Sequence, residues 1–507
     1  MRKNLLTLLF CCLAALATAQ VQRPKLVVGI VVDQMRWDYL YYYYDKFGDG
    51  GFKRLLNEGF SCDNQMINYL PTVTAIGHAS VYTGSVPALH GIAGNNFYLN
   101  GKNVYCCTDD NVKGLGSDHS AARMSPHNMV ATTIGDQLKL ATDFRSKVIG
   151  VAMKDRAAIL PAGHSADAAY WYDNAVGHFV SSSYYMDKLP AWVEDFNKQN
   201  NSKPGLDLKA TNEGVTMTFK MAEAALDNEQ LGKHDVTDML CVSISSTDVI
   251  AHAHSTRGKE NYEVYMQTDK DLAHFLSKLD AQVGKGNYLV FLTADHAGAH
   301  NPNFLNKHRI PGGGWDSRAA ISNINKALSE KYGVEGRYIC DLIDYRLYVD
   351  HKLLADHHID LQTVKDDIVS MLKEDQSLDY VVDFDKAAQT AMPEFLRERT
   401  INGYNRNRSG DIMVVTHPET FAWKVAPDYG GTTHGAWNPY DAHIPLIFMG
   451  WHVKHGSTSQ PTFMVDTAPT VCAMLKIQMP NACIGNAILP VVENGAAAPT
   501  ARPVRRK

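Results

Sequence analysis

Membrane-length hydrophobic runs, an excess of basic charge, paired-cysteine motifs and internal repeats are all missing from this chain. Beyond the first twenty residues no segment approaches the roughly 20 apolar residues that span a bilayer, which argues against stable membrane insertion. Lys and Arg total 49 against 54 Asp and Glu, a formal charge of -5. That balance excludes the basic footprint of a nucleic-acid binder. Nine cysteines occur but no C-x-x-C pair, which argues against a thiolate zinc site. Seven of them follow the first twenty residues, and an odd number leaves at least one thiol unpaired. Adjacent Cys106 and Cys107 cannot readily bond each other.

What is present fits a folded, exported protein. Of 507 residues, 45% are hydrophobic and 20% charged, ordinary for a globular chain with a substantial core. The N-terminus, MRKNLLTLLFCCLAALATAQ, has early positive charge, an apolar stretch and small residues before Gln20. This is a secretory leader, with cleavage expected near Ala19 and a periplasmic or secreted product. Cys11 and Cys12 follow Phe10 rather than a small residue, which disfavours a lipid anchor.

Four strongly apolar runs stop abruptly at polar residues. Residues 25–32 (KLVVGIVV) end at Asp33 and residues 147–153 (KVIGVAM) at Lys154-Asp155-Arg156. Residues 238–244 (DMLCVSI) lead to Asp248, and residues 288–293 (YLVFLT) to Asp295-His296. Without period-two alternation, such runs predict strands covered on both faces, as in a parallel sheet. Amphipathic stretches at 51–58 and 260–283 predict intervening helices. The expected fold is therefore α/β, a mostly parallel central sheet flanked by helices. Ligands in such sheets bind outside the carboxyl ends of the strands. The catalytic domain is expected over 20–489, with insertions around 155–215 and 300–430. Gly, Pro, Asn and Arg abound at 300–345 and 380–433 and predict inserted loops or a cap. Residues 444–449 predict another strand, Asp466 begins a helix, and 490–507 reads as a disordered tail.

Residues 68–96 carry the densest chemistry: Thr72, Thr74, Ser80, Thr83, His78 and His90, with glycines at 77, 84, 91 and 94. A hydroxyl at the start of a helix lies where free amides attract an anion. Thr74 is the candidate nucleophile, though hydroxyls there can equally cap a helix. Asp33, Asp248, His252, Asp295, His296 and His434 are candidate metal ligands at the same sheet edge. Asp and His suit zinc, and the 248/252 spacing turns both side chains to one side of a helix. Singly, each has a structural alternative: Asp33 could cap its turn, and His252 shares a polar loop with His254. His78 and His90 read as residues that order the nucleophile turn. Trp171, Tyr172 and Tyr404 are aromatic candidates for a substrate pocket.

The ordered set Asp33, Pro71-Thr72-x-Thr74-x-x-Gly-His-Ala-Ser, Thr83-Gly84, Asp248-x-x-x-His252, Asp295-His296 and His434-Gly435 resembles the alkaline phosphatase superfamily. Asn95 and the Lys154-Asp155-Arg156 triplet more closely resemble its phosphate-irrepressible, PafA-type branch. The resemblance implies two zinc ions, one held by Asp248, His252 and His434, the other by Asp33, Asp295 and His296 with the Thr74 oxygen. It implies a phosphothreonine intermediate on Thr74, with Asn95, Lys154 and Arg156 binding the phosphoryl oxygens. Small-molecule phosphate monoesters are the expected substrates; the sequence leaves the oligomeric state open, with a monomer favoured. No C/S-x-P-x-R sulfatase motif occurs. Nucleotide pyrophosphatases carry Asn where this chain has Gly77, which takes away a potential phosphoryl donor and favours monoesters. A phosphodiesterase on the same scaffold, or a metal-stabilised binding protein without turnover, are the alternatives.

Overall fold

Leu26–Val32 is buried at every position and lies near the middle of a ten-stranded sheet. Its neighbours are Asp238–Ile244 on one side and Tyr288–Thr293 on the other, both parallel to it. Val148–Ala152 and then Ala168–Asp173 continue the parallel series. These strands are apolar on both faces because helices cover both, and each fully buried Val, Leu or Ile contributes about 1.5–3 kcal/mol. The computed structural model describes residues 21–495. The leader expected at residues 1–19 lies outside the described residues, as does the end of the tail at 496–507.

The sheet is mixed: antiparallel pairs flank its parallel centre on both sides, and a parallel pair, Phe60–Cys62 with Gly456–Thr458, closes one edge. Leu446–Gly450, predicted as a strand, runs antiparallel to Tyr288–Thr293. His178–Ser182 is antiparallel to Ala168–Asp173, so residues within 155–215 extend the central sheet. Among the flanking helices, Thr74–Thr83 packs against Asp155–Ala162, and Asn212–Asn228 against Lys259–Leu279. No helix among the described residues is long and apolar enough to cross a membrane.

Register aligns the strand ends. Val32 pairs with Ile244, Val31 with Thr293, and Ser243 with Ala152. Asp33, Ser245, Ala294 and Met153 therefore leave the sheet at one edge. The side chains that carry chemistry follow within a few residues of it.

The later part of the chain, expected to form inserted loops or a cap, carries regular secondary structure. Ile339–Ile343, Arg346–Val349, Ile412–Thr416 and Leu378–Asp383 form a second, antiparallel four-stranded sheet. Helices Ser317–Tyr332 and Leu361–Leu372 cover it. Ile324, Leu328, Leu347, Val364, Ile368, Val382 and Val414 make a core of its own. The disordered tail also needs correction at its start: Leu489–Gly495 is a helix, and Val491 is fully buried in the main core.

Candidate active site and metal centre

The turn that carries Thr74 is built by docking a helix start against the sheet edge. The helix begins at Thr74 itself, two residues before Ile76, after an extended Val73. Thr74 is 1% exposed, and its Oγ1 lies 3.4 Å from His296 Nε2. The Ala75 amide donates to Asn95 Oδ1 at 3.0 Å, which fixes Asn95 beside the helix start. His78, one turn on, donates from Nδ1 to Thr74 O at 2.9 Å, and its Nε2 meets Ser243 Oγ at 2.8 Å. His90 meets Ser80 Oγ through Nε2 at 3.0 Å and accepts the Ile92 amide at Nδ1. His78 thus ties the Thr74 turn to the sheet, while His90 ties the same helix at Ser80 to the segment at Ile92.

Three other histidines are oriented by one device. His252 Nδ1 donates to Thr432 O at 2.9 Å, His296 Nδ1 to Ala297 O at 2.9 Å, and His434 Nδ1 to Thr72 O at 2.7 Å. A carbonyl oxygen only accepts, so each Nδ1 carries a proton; the buried, neutral His296 and His434 then present a lone pair at Nε2, whereas His252 Nε2 faces the Asp248 carboxylate. That tautomer is the one a metal-binding imidazole requires. The His296 and His434 rings stack with centroids 3.5 Å apart. Thr72 adds a second tie, accepting the Gly435 amide at 3.1 Å and donating to Ala436 O at 2.9 Å.

The carboxylates converge on these nitrogens. Asp33, Asp295 and His296 bring three ligand atoms within 4.8 Å of one another, and so do Asp248, His296 and His434. His296 thus belongs to both groupings. His252 falls outside both, although its Nε2 is 3.1 Å from Asp248 Oδ1. Asp33 Oδ1 and Asp295 Oδ2 are buried without a hydrogen-bond partner. Buried acceptors left open among imidazole lone pairs are a donor set that fits hard-to-borderline cations.

Lys154 stands between the two groupings. Its Nζ donates to Asp33 Oδ2 at 2.7 Å and to Asp248 Oδ2 at 2.6 Å. Arg156 donates from Nη1 to the Tyr105 hydroxyl at 3.0 Å, and that hydroxyl donates to Asp155. Burial pushes Asp33 well above the usual carboxylate range, reinforced by the charge of Asp295. Burial opposes ionisation of Asp248 too, but His252 and Lys154 hold it well below that range. Burial depresses His434 and His296, keeping both neutral, whereas Asp248 raises His252 against its burial.

Sequence reasoning missed Gln34. It is 2% exposed, and its Nε2 donates to Asp248 Oδ1 at 2.6 Å while its amide donates to Asp295 Oδ1 at 3.1 Å. One residue therefore links both groupings, its side chain to Asp248 and its backbone N–H to Asp295, from a backbone at φ 59°. Its only signal was adjacency to Asp33. The aromatic candidates do not form a pocket. Trp171 and Tyr172 are buried in a strand of the main sheet, and Tyr404 stacks on Phe384 at 4.4 Å.

Residues 27–437 match the type I phosphodiesterase / nucleotide pyrophosphatase family. A Myroides odoratus protein named calcium-transporting ATPase is 43% identical, covering 95% of this chain and 98% of its own. Alkaline phosphatase PafA of Elizabethkingia meningoseptica is also 43% identical, with 95% and 96% covered. The crystal structure of wild-type PafA superposes with a TM-score of 0.89 at 43% identity, covering 93% of this chain and all of the other. A PafA variant of known structure combines substitutions of a Thr, an Asn, a Lys and an Arg. Its Thr and Asn are separated as Thr74 and Asn95 are, and its Lys and Arg as Lys154 and Arg156 are. The chain belongs to the type I phosphodiesterase / nucleotide pyrophosphatase family and, within the alkaline phosphatase superfamily, to the branch of PafA-type alkaline phosphatases.

Proposed function

We propose that the protein is an exported phosphomonoesterase of broad substrate range, using two zinc ions and a phosphothreonine intermediate on Thr74. One observation carries the reading: Thr74 Oγ1 heads a helix at 3.4 Å from His296 Nε2, the imidazole shared by both carboxylate groupings. Asp33, Asp295 and His296 would hold one ion, and Asp248, His252 and His434 the other. When bound, the ions supply Lewis-acid charge that acidifies a hydroxyl and offsets charge on a departing oxygen.

The chain's own residues do the rest. Thr74 forms the new P–O bond as the ester P–O bond breaks, and water then releases phosphate from the threonine. His78 holds the Thr74 carbonyl and so fixes the direction of the hydroxyl. Asn95, anchored by the Ala75 amide, and Arg156, anchored by Tyr105, present donors to the phosphoryl oxygens. Lys154 is held by Asp33 and Asp248, and once other cations satisfy those carboxylates its ammonium serves the phosphoryl group. Three donors, two of them charged, favour a monoester dianion over a diester monoanion. The name of the Myroides relative adds ATP to the substrates worth assaying, because its terminal phosphoryl presents the same dianionic face.

The test is Thr74→Ala. The variant should keep its fold and its zinc content and lose monoester hydrolysis by at least ~100-fold. Full turnover in that variant would refute the nucleophile, and an inactive wild type with full zinc would favour a binding protein.

A further inference from the structure

The turn between Ile339–Ile343 and Arg346–Val349 reaches from the second sheet into the catalytic half. It has only two residues, Asp344 and Tyr345, at φ 50° and 65°, the tight hairpin geometry that follows strand twist. Tyr345 closes on the metal-ligand segment: a Cβ at Gly435, next to His434, would lie 2.9 Å from its ring. Arg346 is fully buried and donates from Nη1 to Ala93 O. Its Nη2 is 3.5 Å from Asp344 Oδ2. A Cβ at Gly94 would lie 2.9 Å from the same Asp344 oxygen. Gly94 immediately precedes Asn95. The Asp344 carboxylate therefore stands against Gly94, the residue before Asn95, beside a buried arginine and 24% exposed.

We propose that Asp344 lines the phosphoryl pocket as a fixed negative charge that weakens binding of dianions and so speeds release of the phosphate product. This rests on the phosphomonoesterase reading and adds a determinant of product affinity to it. Burial raises the pKa of Asp344 and the charges of Arg346 and Arg156 oppose that rise; the ionised carboxylate offsets part of the attraction those arginines exert on a bound anion. Removing a point charge acts in proportion to the charge of the ligand. The effect on a dianion, as a logarithm, is therefore twice that on a monoanion. A steric or hydrogen-bonding role would not scale in this way.

The experiment uses the full-length, zinc-loaded protein and Asp344→Asn, a residue that accepts the left-handed turn position. Asp344→Gly serves as the second variant should the first fold poorly. Calorimetry measures the Kd of inorganic phosphate at alkaline pH and of a phosphonate monoester monoanion. Phosphate should bind about 10-fold tighter in the variant and the monoanion about 3-fold tighter, both differences shrinking as salt is raised. Unchanged or weaker phosphate binding, or equal gains for the two anions, overturns the assignment. Wild-type protein that binds neither anion overturns the functional reading together with it, whereas insensitivity of an anion-binding protein overturns Asp344 alone.

Discussion

Gly77 lies against Asp295 so closely that a Cβ on the glycine would stand 2.2 Å from the Asp295 carbonyl oxygen and 2.6 Å from its Cβ. The helix that begins at Thr74 therefore touches the backbone that carries two candidate metal ligands, with no room for a side chain. Besides taking away a potential phosphoryl donor, Gly77 thus has a packing role. Gly77→Ala should destabilise the fold by about 1–3 kcal/mol and weaken metal binding, because backbone rather than a flexible side chain must move. Urea denaturation and zinc competition with a chelator check both effects.

Gln34 predicts a different signature. Its amide holds Asp248 at 2.6 Å and its backbone holds Asp295, so Gln34→Ala frees Asp248 without opening the fold. Metal affinity should fall about 10- to 100-fold. Chelator titration followed by metal analysis gives the number, and thermal unfolding of the metal-loaded variant should remain close to wild type.

Lys154 predicts a dependence on metal that wild type lacks. Its ammonium compensates two buried carboxylates, and removing one partner of a buried ion pair costs about 3–5 kcal/mol. Lys154→Met should therefore be strongly destabilised when stripped of metal and largely restored when zinc is added. Differential scanning calorimetry of both forms tests this. Equal destabilisation with and without zinc would contradict it.

Much of this arrangement was legible in the sequence. Strands buried on both faces write continuous apolar runs, and Asp33, Lys154, Asp248 and Asp295-His296 each sit where such a run stops. The second sheet was not legible, because its strands are four to six residues long and broken by Asp341, Arg346 and Asp379. Such strands are indistinguishable from loops until Ile339–Ile343 and Arg346–Val349 pair. Gln34 and Asp344 escaped for another reason. Their roles come from positive-φ backbone and contacts across more than two hundred residues, which no local pattern encodes. The antiparallel direction of Leu446–Gly450 is likewise a property of connection, not of composition.

His90 supplies a pH prediction remote from the metal ligands. Burial lowers its pKa from 6.5 to about 3, with the charge of Arg408 adding to the effect. Above pH 6.5 both folded and unfolded chains hold it neutral. Between 6.5 and 3 the unfolded chain takes up a proton that the folded chain refuses, so stability falls as pH falls, and the loss levels off below about 3. The slope from this group is ~1.4 kcal/mol per pH unit. His90→Asn, whose amide oxygen can accept the Ile92 N–H, should flatten the dependence by one proton in metal-free protein. Urea unfolding across this pH range reads the difference in slope.

The central claim is that Thr74, Asn95, Lys154 and Arg156 form a site for phosphate monoesters. The most direct measurement is the ratio of kcat/KM for an aryl phosphate monoester to that for the matching diester, on protein of assayed zinc content. The account predicts a large excess for the monoester, collapsing in Lys154→Ala and Arg156→Ala while diester turnover changes little. A preference for the diester, or a monoester excess untouched by both substitutions, would contradict it.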